Sequence, residues 1–328
     1  MSAERGIAAG QKRSGLAASK PRSPGFLQRW REMGPLARKE ALAGYLFILP
    51  WIVGFVVFLA GPMLASFALS FTRWNIVGDP RWVGLNNYRQ IFSSDPDFVQ
   101  SLMVTLRYAL IYLPLSTIVG IGMALALNSR VRGVGLFRMF LYLPSVVPGV
   151  AATLVWVWVL NGRYGLLNEV LSWVGIEGPN WFRDPQAALY GIIMISLWGV
   201  GGSAIIYLAG LQNIPEHLYE AARVDGASSA QQFRFVTLPM LSPVIFFQVV
   251  VGLIGVFQTF TSSFIATGGG PLKSTLFYML YIYSKAWQSL RMGYASALAW
   301  ILAVIILTIT VFVIRSSPYW VHYEAERK

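Results

Sequence analysis

The stretch Glu220-Ala221-Ala222-Arg223-Val224-Asp225-Gly226-Ala227-Ser228, continued by Phe233 and by Val236-Thr237-Leu238-Pro239, lies between two long apolar runs. Its chemistry predicts helix, turn, helix. Pro215 can start a helix, and Glu216 suits the first turn. Ala221 and Ala222 are strong helix formers with almost no side-chain bulk. Asp225-Gly226 is a turn pair, with glycine supplying backbone freedom. Ser228 or Ser229 can cap a second helix, and Pro243 stands at the start of the next apolar run. Two alanines beside a glutamate make a flat surface of small residues. Another protein can press closely against such a surface, and the carboxylate can anchor an arginine or lysine across the contact. On these grounds alone an ordinary amphipathic linker helix is an equally good reading.

Outward from this loop the chain is apolar. Of its 328 residues 55% are hydrophobic and 12% charged, against about a quarter charged in soluble proteins. That shortfall predicts a membrane protein. A spanning helix needs about 20 mostly apolar residues, and six runs qualify, at roughly 45–71, 104–128, 137–160, 189–211, 243–266 and 293–314. Pro50, Pro62, Pro114, Pro144 and Pro148 fall inside them, as kinks that neighbouring helices can accommodate. The first run begins near residue 44 and is too long for the apolar core of a cleavable leader. Domain organisation follows: a basic tail over 1–40, a six-helix transmembrane domain over 41–315 with its polar loop at 212–242, and a short tail over 316–328.

Charge sets the expected orientation. The formal net charge is +12, and nine of the 26 lysines and arginines precede residue 40. Residues 1–40 are rich in Gly, Ala, Ser, Lys and Arg and are expected to be largely disordered. A basic tail next to a first span fits anionic lipid better than nucleic acid. Gly34–Leu42 is expected to form a short interfacial helix, with Arg38 and Lys39 reaching headgroups. With the N-terminus inside, 17 basic residues are cytoplasmic, among them Arg130, Arg132, Arg138, Arg223, Arg234, Arg315, Arg327 and Lys328. Nine lie outside. Both termini are therefore expected in the cytoplasm, and the long connections near 72–103, 161–188 and 267–292 outside.

Several chemistries lack their residues. There is no cysteine, and only His217 and His322 offer imidazoles. Disulfides, thiolate metal sites and a serine–histidine triad are thereby excluded or disfavoured. No Asp, Glu, Lys or His lies in the middle of a span, and Arg107 and Arg138 fall near span ends. An ion-coupled carrier usually needs buried ionisable groups. No phosphate loop is present, because Lys273 in GGGPLKST has the wrong spacing. A membrane enzyme would have to rely on Glu220 and Asp225, which the loop already explains. Energy for transport is expected to come from a separate subunit.

The pattern EAA–x2–DGA–x5–F–x2–V–x–LP over Glu220–Pro239 resembles the signature cytoplasmic loop of binding-protein-dependent ABC importer permeases. Further likeness covers nearly all the chain after residue 40. Phe71-Thr72-Arg73-Trp74-Asn75 and Val83-Gly84-Leu85-Asn86-Asn87-Tyr88 look like the first external loop of the carbohydrate-uptake branch, and Tyr164-Gly165-Leu166-Leu167-Asn168 like its second. Thr267-Gly268-Gly269-Gly270-Pro271, followed by Leu280-Tyr281-Ile282-Tyr283, resembles the maltose/glycerol-phosphate-type first permease. The resemblance implies an all-α type I importer permease of MetI-like fold, with six transmembrane helices and a cytoplasmic coupling helix between helices 4 and 5. It also implies a second permease subunit, two ATPases that bind the ATP and Mg, an extracytoplasmic solute-binding protein, and no cofactor in this chain. ATPase coupling is then expected at Glu220, Ala221, Ala222, Asp225, Gly226, Ala227 and Pro239.

The solute path is sought on the fifth span. Gln248, Gly252, Gly255, Val256, Thr259, Ser262 and Ser263 share one helical face by spacing. Val250, Leu253, Phe257, Phe260 and Phe264 form a bulky apolar face. The small face can line a path or let helices pack closely. Relatives place sugar contacts on this span, although Gly252 and Val256 occupy positions that are polar in some of them. The fourth span adds Trp198, Gly199, Gly201, Gly202, Ser203 and Tyr207 as weaker candidates. With hydroxyls, an amide and no cation on this face, the expected solute is a neutral sugar, ahead of a glycerol phosphate ester.

Overall fold

A computed structural model of the chain describes residues 34–129 and 133–322. The readings made for the tail before residue 34, for Arg130 and Arg132, and for Arg327 and Lys328 fall outside them. The chain divides into two compact units, Met1–Met63 and Leu64–Lys328. The described part of the first is helical and belongs to α1, Pro35–Leu69. The stretch expected as an interfacial helix, Gly34–Leu42, is helical from Pro35 and runs on into the apolar run as the opening of α1. Pro35 sits in its first turn, where a missing N–H costs nothing, and no breaker follows before the apolar run.

The second unit is a helical bundle with one small ribbon, Thr72–Arg73 paired antiparallel with Arg81–Trp82. Its helices are α2 (Asn86–Ser94), α3 (Pro96–Asn128), α4 (Val134–Val146), α5 (Gly149–Val159), α6 (Leu166–Trp173), α7 (Ala188–Trp198), α8 (Gly201–Gln212) and α9 (Glu216–Val224). They continue with α10 (Leu238–Phe257), α11 (Thr261–Ala266), α12 (Tyr278–Tyr283) and α13 (Met292–Ser316). Four helical stretches are each long and apolar enough to cross a membrane: Pro35–Leu69, Pro96–Asn128, Ser229–Ala266 and Met292–Tyr319. The pairs α4–α5 and α7–α8 supply two more crossings if each is one bent span, with bends of 100° and 51°.

The long α3 organises the bundle. It starts eight residues before the expected apolar boundary because Asp95 caps it and Pro96 occupies its first turn. The Asp95 carboxylate accepts from the backbone N–H groups of Asp97 and Phe98, two of the four donors a helix start leaves unpaired. Three buried clusters then lie along its length. Phe98 packs with Leu298 and Tyr278, Tyr108 with Ile192 and Phe277, and Ala124 with Tyr207 and Leu241. From Phe98 to Leu127 this is about 40 Å of helix at 1.5 Å per residue, enough to cross the hydrocarbon layer.

Each bend has a local cause. Between α4 and α5, Pro148 lacks a backbone N–H, and Val147 before it is extended. Between α7 and α8 the chain passes against the backbone of α4. A β-carbon at Gly201 would lie 1.7 Å from the Leu141 carbonyl oxygen, so only glycine fits. A third break, at Gln258–Phe260, separates α10 from α11. Pro239, rather than Pro243, stands in the first turn of α10, and Pro243 lies inside it.

Candidate functional site: a cleft at three helix breaks

The three breaks meet. One cleft of about 400 Å³ is walled by Ser145 and Val147 from the first, Ser196, Trp198 and Gly199 from the second, and Gln258, Thr259, Thr261 and Ser262 from the third. Thr153, one turn into α5, also lines it. The first two breaks fall about midway along their pairs. Discontinuous helices meeting at mid-depth are how membrane transporters present polar groups where lipid would forbid them.

The wall carries hydroxyls, an amide and an indole, and no charged side chain. Several hydroxyls are committed to backbone carbonyls one turn back: Ser145 to Tyr142, Thr153 to Gly149, and Ser196 to Ile192. Ser196 also accepts from the buried Tyr108 hydroxyl of α3 at 2.7 Å. With its proton given to Ile192 and one lone pair taken by Tyr108, Ser196 has one lone pair left to offer. Among the described residues, Ser262, Thr261 and Gln258 make no side-chain hydrogen bond and remain open to a ligand. Trp156 packs edge-on to Trp198 at 6.3 Å and steadies that indole beside the cleft.

The residues singled out from sequence divide between the cleft and the packing. Thr259 and Ser262 line the cleft. Ser263, adjacent to Ser262, is fully buried and donates to the Thr275 carbonyl at 2.6 Å. Val256 is buried in the middle cluster, and Gly252 faces Leu113. Gln248 lies further down α10, away from the cleft. Tyr207 is buried against α3 in the third cluster, and Ser203 is half-buried outside the cleft. The helical wheel assumed an unbroken helix through 266. The break at 258–260 turns Thr259 and Ser262 away from the stripe they shared with Gln248. Sequence reasoning missed Ser145, Thr153, Ser196, Gln258 and Thr261. A sequence signal existed only for Ser145, which stands between Pro144 and Pro148 in mid-span.

The loop between α8 and α10 folds as helix, turn, helix. Pro215 caps α9, and Asp225 closes it. Gly226 takes a left-handed φ of 76°. Its N–H reaches Arg223, and that of Ala227 reaches Ala222 at 2.9 Å; this paired closure satisfies the last carbonyls of the helix. Ser228 and Gln231 then form a reciprocal capping box that starts the next helix. The Tyr219 hydroxyl meets Thr237 Oγ1 at 3.0 Å and ties the two halves together. Leu218, Tyr219 and Val236 pack onto the third cluster. Glu220, Ala221, Asp225 and Gly226 are left exposed, while Ala222, Ala227 and Pro239 are half-buried.

A helical bundle, bent spans around an uncharged cleft and an exposed helix–turn–helix together define a membrane permease. The chain belongs to the family of binding-protein-dependent transport system inner membrane components, which it matches over residues 116–317. It is 43% identical to a probable ABC transporter permease protein, YesP, of Bacillus subtilis, over 89% of this chain and 95% of that one. It is 33% identical to the trehalose/maltose transport system permease protein MalF of Thermococcus litoralis, over 87% and 96%. Among solved structures it resembles a chain of a bacterial ABC transporter involved in import of the acidic polysaccharide alginate, with a TM-score of 0.75 and 26% identity, over 86% of this chain and 96% of that one.

Proposed function

We propose that this chain is one of two permease subunits of an ATP-driven importer, and that it carries a neutral mono- or oligosaccharide into the cell by alternating access. The observation that carries the reading is the cleft at the three breaks: uncharged, carrying hydroxyls and an amide, and about midway along two of its three spans. Hydroxyls and an amide exchange hydrogen bonds with sugar hydroxyls, and the Trp198 indole offers a flat apolar face for a ring. Relatives named for trehalose, maltose and arabinooligosaccharides support a sugar. Two ATPases holding ATP and Mg dock on the loop carrying Glu220 and Gly226, a solute-binding protein delivers the sugar from outside, and a second permease completes the path. Both chain termini then face the cytoplasm, as the charge bias requires. The half-helices pivot at the breaks as access alternates.

The alginate importer handles an acidic solute, so acidity is the sharpest alternative. An anion in a low-dielectric path calls for an arginine, lysine or helix start aimed at it, and no cation lines this cleft. The test is uptake by the complete importer in vesicles, with neutral, carboxylated and phosphorylated sugars in competition. Neutral sugars are expected to compete best. Tight uptake of an acidic sugar or a glycerol phosphate ester, unaffected by neutral ones, overturns the proposal.

A further inference from the structure

A smaller pocket of about 130 Å³ lies near the Phe98 end of α3, about 40 Å of helix away from the helix–turn–helix. Arg73 and Trp74 of the ribbon, Asn87 and Gln90 of α2, and Arg291 and Tyr294 at the start of α13 wall it. Its frame is set in advance. Asn87 Nδ2 donates to the carbonyls of Ser70 and Thr72 at 2.8 and 2.9 Å. The Gly293 N–H reaches the Trp74 carbonyl at 3.3 Å. A β-carbon at Gly293 would lie 2.0 Å from the Thr72 carbonyl oxygen, so ribbon and helix meet backbone to backbone.

The charge in this frame is uncompensated. Arg73 stands directly opposite Arg81 across the ribbon, an arrangement that like charges disfavour. The Arg291 guanidinium lies 4.3 Å from the centroid of the Tyr294 ring and gives Nη2 to Gln90 Oε1 at 2.8 Å. The rest of its fork has no partner among the described residues, and no carboxylate there lies within ion-pairing distance of Arg73 or Arg291. Asp95, at the hydroxyl end of Tyr294, is taken by Tyr281 and Tyr294. The pocket holds the volume of about four waters. That is room for a carboxylate head and too little for an oligosaccharide. Paired guanidinium forks match the planar two-oxygen geometry of a carboxylate.

The surroundings point to a protein as its bearer. Trp82, Leu85 and Phe92 stand exposed beside the pocket, and Leu85 and Phe92 line an adjoining groove that shares Asn86 with it. A charged anchor within an apolar surround is the pattern of a protein–protein contact; a free anion needs no apolar surround. We propose that this pocket is a socket for one aspartate or glutamate side chain of the solute-binding protein, which docks on this face. The proposal rests on reading the chain as a binding-protein-dependent permease.

The experiment measures docking of the cognate solute-loaded binding protein to the complete importer in nanodiscs, over a range of salt. Arg73→Gln and Arg291→Gln are each expected to weaken docking about tenfold to hundredfold and to flatten its salt dependence. Arg73→Lys, which keeps the charge on an exposed side chain and loses the fork, should fall between them and the native importer. An arginine in place of the matching carboxylate on the binding protein should abolish docking to the native importer and restore it in part when Arg73 is glutamate. Native affinity and salt dependence in all the arginine variants overturn the socket. Failure of the native importer to dock the binding protein overturns the underlying reading instead. Arginine-dependent stabilisation of the importer by millimolar acetate or phosphate, with docking unchanged, assigns the pocket to a free anion and also overturns the socket.

Discussion

Tyr108, in the middle of α3, donates its hydroxyl to Ser196 Oγ at 2.7 Å and so fixes a cleft-lining serine from behind. Tyr108 lies stacked on Tyr112, with 5.1 Å between ring centroids, and edge-on to Phe277 at 5.0 Å, which leaves its ring little freedom. A buried side chain that never reaches the cleft thus sets which lone pair Ser196 presents there.

Tyr108→Phe removes that bond and keeps the ring packing. The loss of about 0.5–1.5 kcal/mol should appear as a two- to tenfold rise in the KM for uptake, with assembly retained. A fall in thermal stability with an unchanged KM would show that Tyr108 serves packing alone.

The neighbouring serines of α11 separate path from scaffold. Ser262→Val and Thr259→Val should lower uptake while the importer still assembles, because both side chains line the cleft. Ser263→Ala should act on stability, because it removes a buried hydrogen bond to the Thr275 carbonyl, which keeps the Phe277 N–H alone, at about 0.5–1.5 kcal/mol. Uptake kinetics and thermal unfolding of the three variants decide; equal effects in both assays for Ser262 and Ser263 would contradict the assignment.

At the loop between α8 and α10, Gly226→Val forces a β-branched residue to a φ of 76°. That costs on the order of 1–2 kcal/mol and unwinds the closure of α9. Glu220→Lys leaves the fold intact and reverses an exposed charge. Both should uncouple ATP hydrolysis from uptake or release the ATPases. Normal solute-stimulated hydrolysis in both variants would remove this loop from coupling.

Asp95 carries a pH dependence whose sign follows from its partners. Burial acts against its charge, but hydrogen bonds from Tyr281, Tyr294 and the Phe98 N–H, with Lys285 nearby, hold its carboxyl below the ordinary value of 3.8. A carboxyl lowered by folding stabilises the fold above its unfolded pKa, and that contribution fades as pH falls through the folded one. Asp95→Asn should therefore be less stable than the native chain at neutral pH. The gap should close below about pH 4. Thermal melts of both forms across that range check it; a gap that widens on acidification would reverse the assignment.

The membrane class, the apolar spans and the helix–turn–helix at Glu216–Gln232 were legible because each rests on local chemistry. Apolar runs, a turn pair with glycine at a positive φ and a capping box act within a few residues of themselves. The prolines likewise marked where a span could bend. The cleft is different. The break at Gln258–Phe260 contains neither proline nor glycine; around it Ser263 is bonded to Thr275, and Phe260 rests against Tyr283 at 5.0 Å. Gly201 marks a bend because Leu141, 60 positions earlier, passes against it. Ser196 is set by Tyr108, 88 positions away. What each span is made of, and where the polar loop closes, is written in local sequence. Which hydroxyls face one another is set by long-range packing, because a break formed by contact between distant segments leaves no periodic trace in either of them.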